Sequence, residues 1–287
     1  MATATLTPGP EAAVIRRPRP TSALAALPTL ARRRAALTAH TPRQIAVPLL
    51  GPVLLALILA PALKAALGGL HSGIDYEAFV AIGAVGLLVP LSCAFAGLSV
   101  LVDRHSGAQR ELLAAPVPRG YLVLGNLAVA LVLAALQVAV LIPLAALRGA
   151  HFQITASGFM WFLAATLLLA VFMYGVAETL ASRLTKQEDY TGALPVIAVL
   201  PFFFAGALYP ISALPGALAT IAKFLPLTHA LALMRYGFLD RHGAGLHDIW
   251  GLSNTTTEAW LSLAVVAVSA AAMVAVAIRA FTRSAVS

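Results

Sequence analysis

Six runs of predominantly apolar residues, roughly 44–67, 76–102, 121–147, 157–181, 190–209 and 257–279, leave this chain few folds to choose from. Each reaches the ~20 residues that an α-helix needs to cross a hydrocarbon core of about 30 Å. In lipid only helices and closed barrels satisfy every backbone amide and carbonyl internally. The composition agrees: of 287 residues 60% are hydrophobic and 10% charged, and the mean hydropathy is +0.90. The expectation is an all-α integral membrane protein with six transmembrane helices, and an even number puts both termini on one side.

The formal charge is +8 and the pI about 10.3. In a soluble chain that excess would raise nucleic acid as a partner. Here the basic residues flank the apolar runs and report topology instead, with no nucleic acid implied. Cytoplasmic termini place fourteen of the nineteen Lys and Arg residues inside, leaving Lys64, Arg148, Lys223, Arg235 and Arg241 outside. Trp161, Trp250 and Trp260 then fall at or beyond the outer interface, where amphipathic rings settle.

Three regions follow: 1–20, 21–43 and 44–287. The first is rich in Pro, Ala and Thr without apolar periodicity and reads as a disordered cytoplasmic tail. In the second, Leu24, Leu27, Leu30 and Leu37 fall near helical spacing around Arg32, Arg33 and Arg34. This predicts an amphipathic helix on the membrane surface, divided at Pro28, with a solvated basic tail as the alternative. No A-x-A-like cleavage site closes the first apolar run, so it stays as a span.

Between the second and third runs lies a short charged stretch, 102–121, V-D-R-H-S-G-A-Q-R-E-L-L-A-A-P-V-P-R-G-Y. Ser106 and Gln109 have the spacing of a capping box, which predicts a helix starting at Ser106. Pro116 and Pro118 stop it after two to three turns at ~3.6 residues each. A helix that short is not stable alone and must lean on headgroups or on another protein.

Ionisable groups inside the runs lie near their ends. Glu178, with Tyr174 on the same face at i, i+4, reads either as an inner-gate hydrogen-bonding pair or as an interface carboxylate reaching water. Lys64 can snorkel. Ser92, Ser99, Asn126, Gln137 and Thr166 are uncharged and suit bonding between helices, while Pro90, Pro143, Pro195 and Pro201 mark kinks or ends. After Phe204 the chain stays apolar to Leu225, yet Pro210, Pro215, Gly216 and Pro226 forbid one continuous helix. Short outer helices or a re-entrant hairpin fit, with Phe204, Tyr209, Pro210, Leu214, Pro215 and Pro226 as candidate outer-gate residues. Residues 241–254 read as an exposed loop.

Catalytic patterns are missing. The three lysines are followed by Ala65, Gln187 and Phe224, so no phosphate-cradling loop with Lys-Ser or Lys-Thr exists. Neither H-E-x-x-H nor paired-Cys zinc spacing occurs, although His242, His247 and Asp248 lie close in sequence. The lone Cys93 excludes an intramolecular disulfide. A chain with neither a nucleotide loop nor mid-span charges needs energy from elsewhere if it moves a substrate.

Two stretches together resemble the permease subunits of type-2 ATP-binding-cassette exporters, in their drug-resistance and polyketide-antibiotic branch. One is D-R-H-S-G-A-Q-R-E-L-L-A-A-P-V-P-R-G-Y-L-V-L-G, 103–125, with its charged start, Glu-Leu-Leu, Pro stop and Arg. The other is F-A-G-A-L-Y-P-I-S-A-L-P-G-A-L-A-T-I-A-K-F-L-P-L-T-H-A-L-A-L-M-R, 204–235, with Tyr-Pro, Leu-Pro-Gly, Pro-Leu-Thr and a closing Arg. The resemblance implies a half-transporter of the bacterial plasma membrane, paired with a second permease and with two ATPase subunits that hold ATP and Mg, this chain holding no cofactor. It implies a connecting helix on the inner leaflet at 21–43, a coupling helix at 102–121, with Asp103, Arg104, Ser106, Gln109, Arg110, Glu111 and Arg119 as candidate coupling residues, and outer re-entrant helices at 210–226. The implied substrate is a small amphipathic drug or antibiotic. A lipid-linked glycan, a peptide or ions are alternatives, as is a membrane-embedded enzyme or assembly subunit.

Overall fold

The computed structural model describes residues 23–40, 42–59, 61, 62, 65, 75–114 and 118–284. The tail 1–20 and Lys64 lie outside them. The chain order is α1 (Ala23–Ala39), α2 (Arg43–Leu54) with a π-helical turn Leu55–Leu59, α3 (Tyr76–His105), α4 (Ala108–Ala114), α5 (Arg119–Leu147) and α6 (Ala156–Arg183). Then come α7 (Gln187–Leu194), a second π-helical turn Pro195–Val199, α8 (Leu200–Phe204), a 3-10 turn Ile211–Ala213, α9 (Gly216–Ala222), α10 (Pro226–Phe238), α11 (Ala244–Trp250) and α12 (Thr255–Ser284).

Helices α3, α5, α6 and α12 are each long and apolar enough to cross a membrane, and the pair α9 and α10, bent by 81°, passes the same test together. Short polar side chains start three of the four. Asp75 accepts from the amides of Glu77 and Ala78 at the head of α3, Thr155 from Gly158 at the head of α6, and Asn254 from Thr256 and Thr257 at the head of α12. Each satisfies amides that the first helical turn leaves without an intrahelical partner.

The expected first and fifth runs differ from simple rods. The first is α-helical only to Leu54 and widens into a π turn, and the fifth is interrupted by a π turn beginning at Pro195. Proline lacks an amide hydrogen and displaces the carbonyl four residues back, so the i→i−4 ladder reorganises around it. Pro28, in contrast, does not divide its segment: α1 runs through it. Pro90 and Pro143 likewise lie inside α3 and α5. The expected loop 241–254 contains α11, whose Leu246 and Ile249 are buried.

Helix α6 is central, packed against α3, α5, α10 and α12, while α1 lies along α5 and α2 along α3. Glycine makes the closest crossings. A Cβ on Gly83 of α3 would run into the carbonyl oxygen of Ala207, in the turn after α8. That obstacle is backbone and cannot rotate away. Gly83→Ala is expected to cost about 1–3 kcal/mol, read as a fall of roughly 5 °C in the melting midpoint of the detergent-purified chain.

Between the ends the helices are joined by apolar packing and by a few polar bridges, among them one in which the Ser92 hydroxyl meets the Gln137 side-chain oxygen across α3 and α5. The single proton of that hydroxyl is shared with Leu88 O, 2.8 Å away within its own helix. A polar pair between two transmembrane helices fixes their relative rotation, which apolar side chains alone leave loosely defined.

Candidate functional site

The bundle has two polar ends. The first carries α4. The predicted capping box is not formed: Ser106 ends α3, its hydroxyl donating to Asp103 O at 3.2 Å, and Gly107 turns the chain at φ +81° before α4 begins at Ala108. A left-handed residue directly after Ser106 takes its side chain off the new helix, so the S-x-x-Q spacing has no geometry to act through. Gln109 is buried, and the side chains of Arg110 and Glu111 lie outside the described residues.

The other candidate coupling residues are engaged within the protein. Asp103 accepts from Arg34 of α1 at 2.8 Å. Arg104 donates to Ala181 O at 2.8 Å and Leu184 O at 3.0 Å, closing the end of α6, and Arg119 donates to Thr282 O at 3.1 Å in the last turn of α12. Carbonyls at helix C-termini lack intrahelical donors and carry the negative end of the helix dipole, so an arginine there is doubly favoured. The helices on both sides of α4 are thereby tied to α6 and α12.

One turn deeper, Tyr174 donates to Glu178 Oε2 at 2.8 Å, with both residues fully buried. The two side chains pair as their spacing allows, and Glu178 does not reach water, because it has 0% exposure. Asn126 of α5 lies beside the Tyr174 hydroxyl, and among the described residues the cations facing Glu178 are Arg34 and Arg104. Four helices therefore meet in one polar node.

The opposite end holds the outer-gate candidates. Phe204 ends α8, and Tyr209 folds back to donate to Phe203 O at 2.8 Å. Pro210 opens the 3-10 turn, which Leu214 closes; Pro215 precedes α9 and Pro226 begins α10. Sequence reasoning missed the group that holds this turn. Arg235, read from the sequence only as one of the outer cations, is 9% exposed and reaches back from α10. It donates to Gly206 O and Ala207 O at 2.8 Å each and to Phe79 O at 3.4 Å, with its guanidinium 3.4 Å from the centre of the Phe79 ring. Tyr76 adds a bond to Leu208 O at 2.6 Å. The signal was a single cation in the apolar run A-L-A-L-M-R-Y-G-F, where a charge is kept only if it is paired or bonded.

Around this end, Trp161 packs edge-on against Trp260 and Tyr236, with centroids 5.0 and 5.9 Å apart, and Trp250 donates to Ser262 at 2.8 Å. Asp75 also bonds the His151 amide at 2.7 Å and faces its ring at 3.1 Å. Burial pulls the Asp75 carboxyl upward, and the bonds from His151, Ala78 and Glu77 outweigh it, holding it below the usual carboxylate range. His242, His247 and Asp248 do not converge: His247 Nδ1 faces Leu252 O at 3.1 Å and Glu258 at 3.4 Å, while Asp248 accepts from Ser212 at 2.9 Å.

Residues 25–239, which include both polar ends from α1 to α10, match the family model described as ABC-2 type transporter. The chain is 29% identical over 184 residues to Nodulation protein J of Sinorhizobium fredii, covering 63% of this chain and 69% of that one. Its identity to Nodulation protein J of Rhizobium leguminosarum bv. trifolii is 28% over 200 residues, covering 65% and 72%. To the inner membrane transport permease YadH of Escherichia coli it is 26% over 187 residues, covering 64% and 68%. The protein belongs to the ABC-2 type transporter family and is a multi-pass membrane permease.

Proposed function

We propose that this permease is the membrane half of an ATP-driven exporter, moved by a separate ATPase that seats against α4 and holds the ATP and Mg itself. The observation that carries this is mechanical. A seven-residue helix stands between two helices whose nearest arginines each grip the end of another, Arg104 on α6 and Arg119 on α12. A push on α4 is thereby delivered to most of the bundle at once. Arg110 and Glu111 provide charge for register and steering against the ATPase surface.

In this reading the α4 end faces the cytoplasm with both termini, consistent with its many basic residues, and the aromatic end faces out. A second permease copy completes the pathway. The cargo is a small amphipathic molecule, such as a drug or antibiotic, because the buried charges Arg34, Glu178 and Arg235 sit toward the ends and the walls between are apolar. The turn held by Arg235 closes the exit.

The test is to reverse the two charges together, Arg110→Glu with Glu111→Arg, and co-purify the ATPase from membranes. Co-purification is expected to fall about tenfold, equivalent to ~1.4 kcal/mol, while the permease still inserts. Undiminished co-purification and transport would refute the docking role.

A further inference from the structure

Helices α6 and α12 end side by side, and a groove of about 550 Å³ opens between their last turns. Arg183 lines one side from α6, while Arg279 and Arg283 line the other from α12, with Val276 and Ala280 supplying its apolar part. All three arginines are exposed.

The same end of the bundle spends other arginines on the protein itself: Arg34 on Asp103, Arg104 on the carbonyls that close α6, and Arg119 on Thr282 O. Among the described residues, Arg183, Arg279 and Arg283 make no hydrogen bond or ion pair, and no carboxylate lines their groove. Arg279 and Arg283 also stand four residues apart on one helical face, where like charges repel. Three uncompensated cations gathered on one groove call for an anion.

Depth says which kind. At the opposite end, Trp161 of α6 and Trp260 of α12 pack with ring centroids 5.0 Å apart, and such rings settle where hydrocarbon meets headgroups. At ~1.5 Å of rise per residue, Arg183 lies roughly 33 Å along α6 from Trp161, and Arg279 and Arg283 lie roughly 29 and 35 Å along α12 from Trp260. A hydrocarbon core is about 30 Å thick, so the three residues gather at its far boundary, the level of lipid phosphates. From there Val276, Ala272, Val268 and Ala264, all exposed and four residues apart, form an apolar stripe leading back into the core. A free phosphate would use the arginines and leave the stripe. An amphiphile uses both.

We infer that this groove binds one anionic phospholipid, its phosphate held among Arg183, Arg279 and Arg283 and an acyl chain laid along the α12 stripe. Each cation near a membrane surface attracts anionic lipid, and a cleft between two helices brings several to one headgroup. The choline of a zwitterionic lipid would instead carry a fourth cation up to three. The lipid thereby clips the end of α6 to the end of α12. The site lies within one chain and does not rest on the export reading.

Native mass spectrometry of the full chain in detergent, titrated with dioleoyl phosphatidylglycerol and separately with dioleoyl phosphatidylcholine, tests this. One phosphatidylglycerol per chain is expected, held at least tenfold more tightly than phosphatidylcholine and not displaced by inorganic phosphate at the same concentration. Arg183→Gln and Arg279→Gln should each weaken it about fivefold, the ~1 kcal/mol that one cation contributes beside an anionic lipid surface. Arg32→Gln, which removes an exposed arginine from α1, should leave it unchanged. These side chains are exposed and unbonded, so each variant is expected to fold as the parent does. Equal affinity for the two lipids, displacement by inorganic phosphate, unchanged binding in both groove variants, or an equal loss in Arg32→Gln would overturn the inference. A groove variant that keeps the lipid yet loses the ATPase on co-purification would also overturn it, giving the groove to that partner. The titration contains no ATPase, so its failure leaves the docking test at Arg110 and Glu111 untouched.

Discussion

Arg235→Met is expected to unfasten the turn after α8 and to lower the melting midpoint of the purified permease by about 10 °C. The methionine keeps much of the length and all of the apolar contact, so the loss isolates the guanidinium. Two bonds at 2.8 Å and a third at 3.4 Å disappear, leaving the carbonyls of Gly206, Ala207 and Phe79 inside the protein without their donor. An orphaned buried acceptor costs about 1–3 kcal/mol. Against that, the charge no longer has to be desolvated, and the described residues place no carboxylate in ion-pair contact with it. Removing one partner of a buried charged arrangement typically nets about 3–5 kcal/mol. At 2–4 °C per kcal/mol for a chain of this size, the lower end of that range gives the stated shift. Arg235→Lys should fall between, since an ammonium preserves charge but cannot fork two carbonyls while lying flat on Phe79. Proteolysis within 205–214 should rise in the same order. A methionine variant that melts within 2 °C of the parent, with no added cleavage in the turn, would show that Arg235 does not hold it.

That residue also marks where sequence reading stops. The long spans were legible: the apolar run 76–102 became Tyr76–His105, 121–147 became Arg119–Leu147, 157–181 became Ala156–Arg183 and 257–279 became Thr255–Ser284. Length and hydropathy suffice there because lipid leaves the backbone one local solution. Tyr174 and Glu178 were legible as a pair because helical spacing alone brings i and i+4 together. Arg34 and Arg235 were not, because a basic residue near a span end reads first as a marker of sidedness. Their partners lie 69 residues away at Asp103 and 28 to 29 away at Gly206 and Ala207. The Ser106 box misled for a related reason: the spacing was right, but Gly107 adopts a backbone conformation that spacing does not register. The π turns escaped too, since their cause is how neighbouring helices resolve a missing hydrogen bond.

At the other end the largest loss is expected from Arg34→Ala, and its size depends on Glu178. Arg34 is 6% exposed and bonds Asp103 at 2.8 Å, so its removal frees α1 from the foot of α3. Among the described residues it is also one of two cations facing the fully buried Glu178, the other being Arg104, two of whose five N–H donors are spent at the end of α6. Asp103→Asn, by contrast, removes a carboxylate whose side chain is 18% exposed and leaves Arg34 facing Glu178. The expected destabilisations are about 3–5 kcal/mol for Arg34→Ala and about 1 kcal/mol for Asp103→Asn. If the difference arises at Glu178, then Glu178→Gln in the Arg34→Ala background should recover part of the loss, although Glu178→Gln alone gains nothing. A double-mutant cycle on melting midpoints measures the coupling, expected at 0.5–3 kcal/mol for groups in one polar network. Additive effects would mean that Arg34 serves only to pin α1. A coupled result would join α1 to the Tyr174–Glu178 pair. Movement of α1 would then change the charge balance inside the bundle.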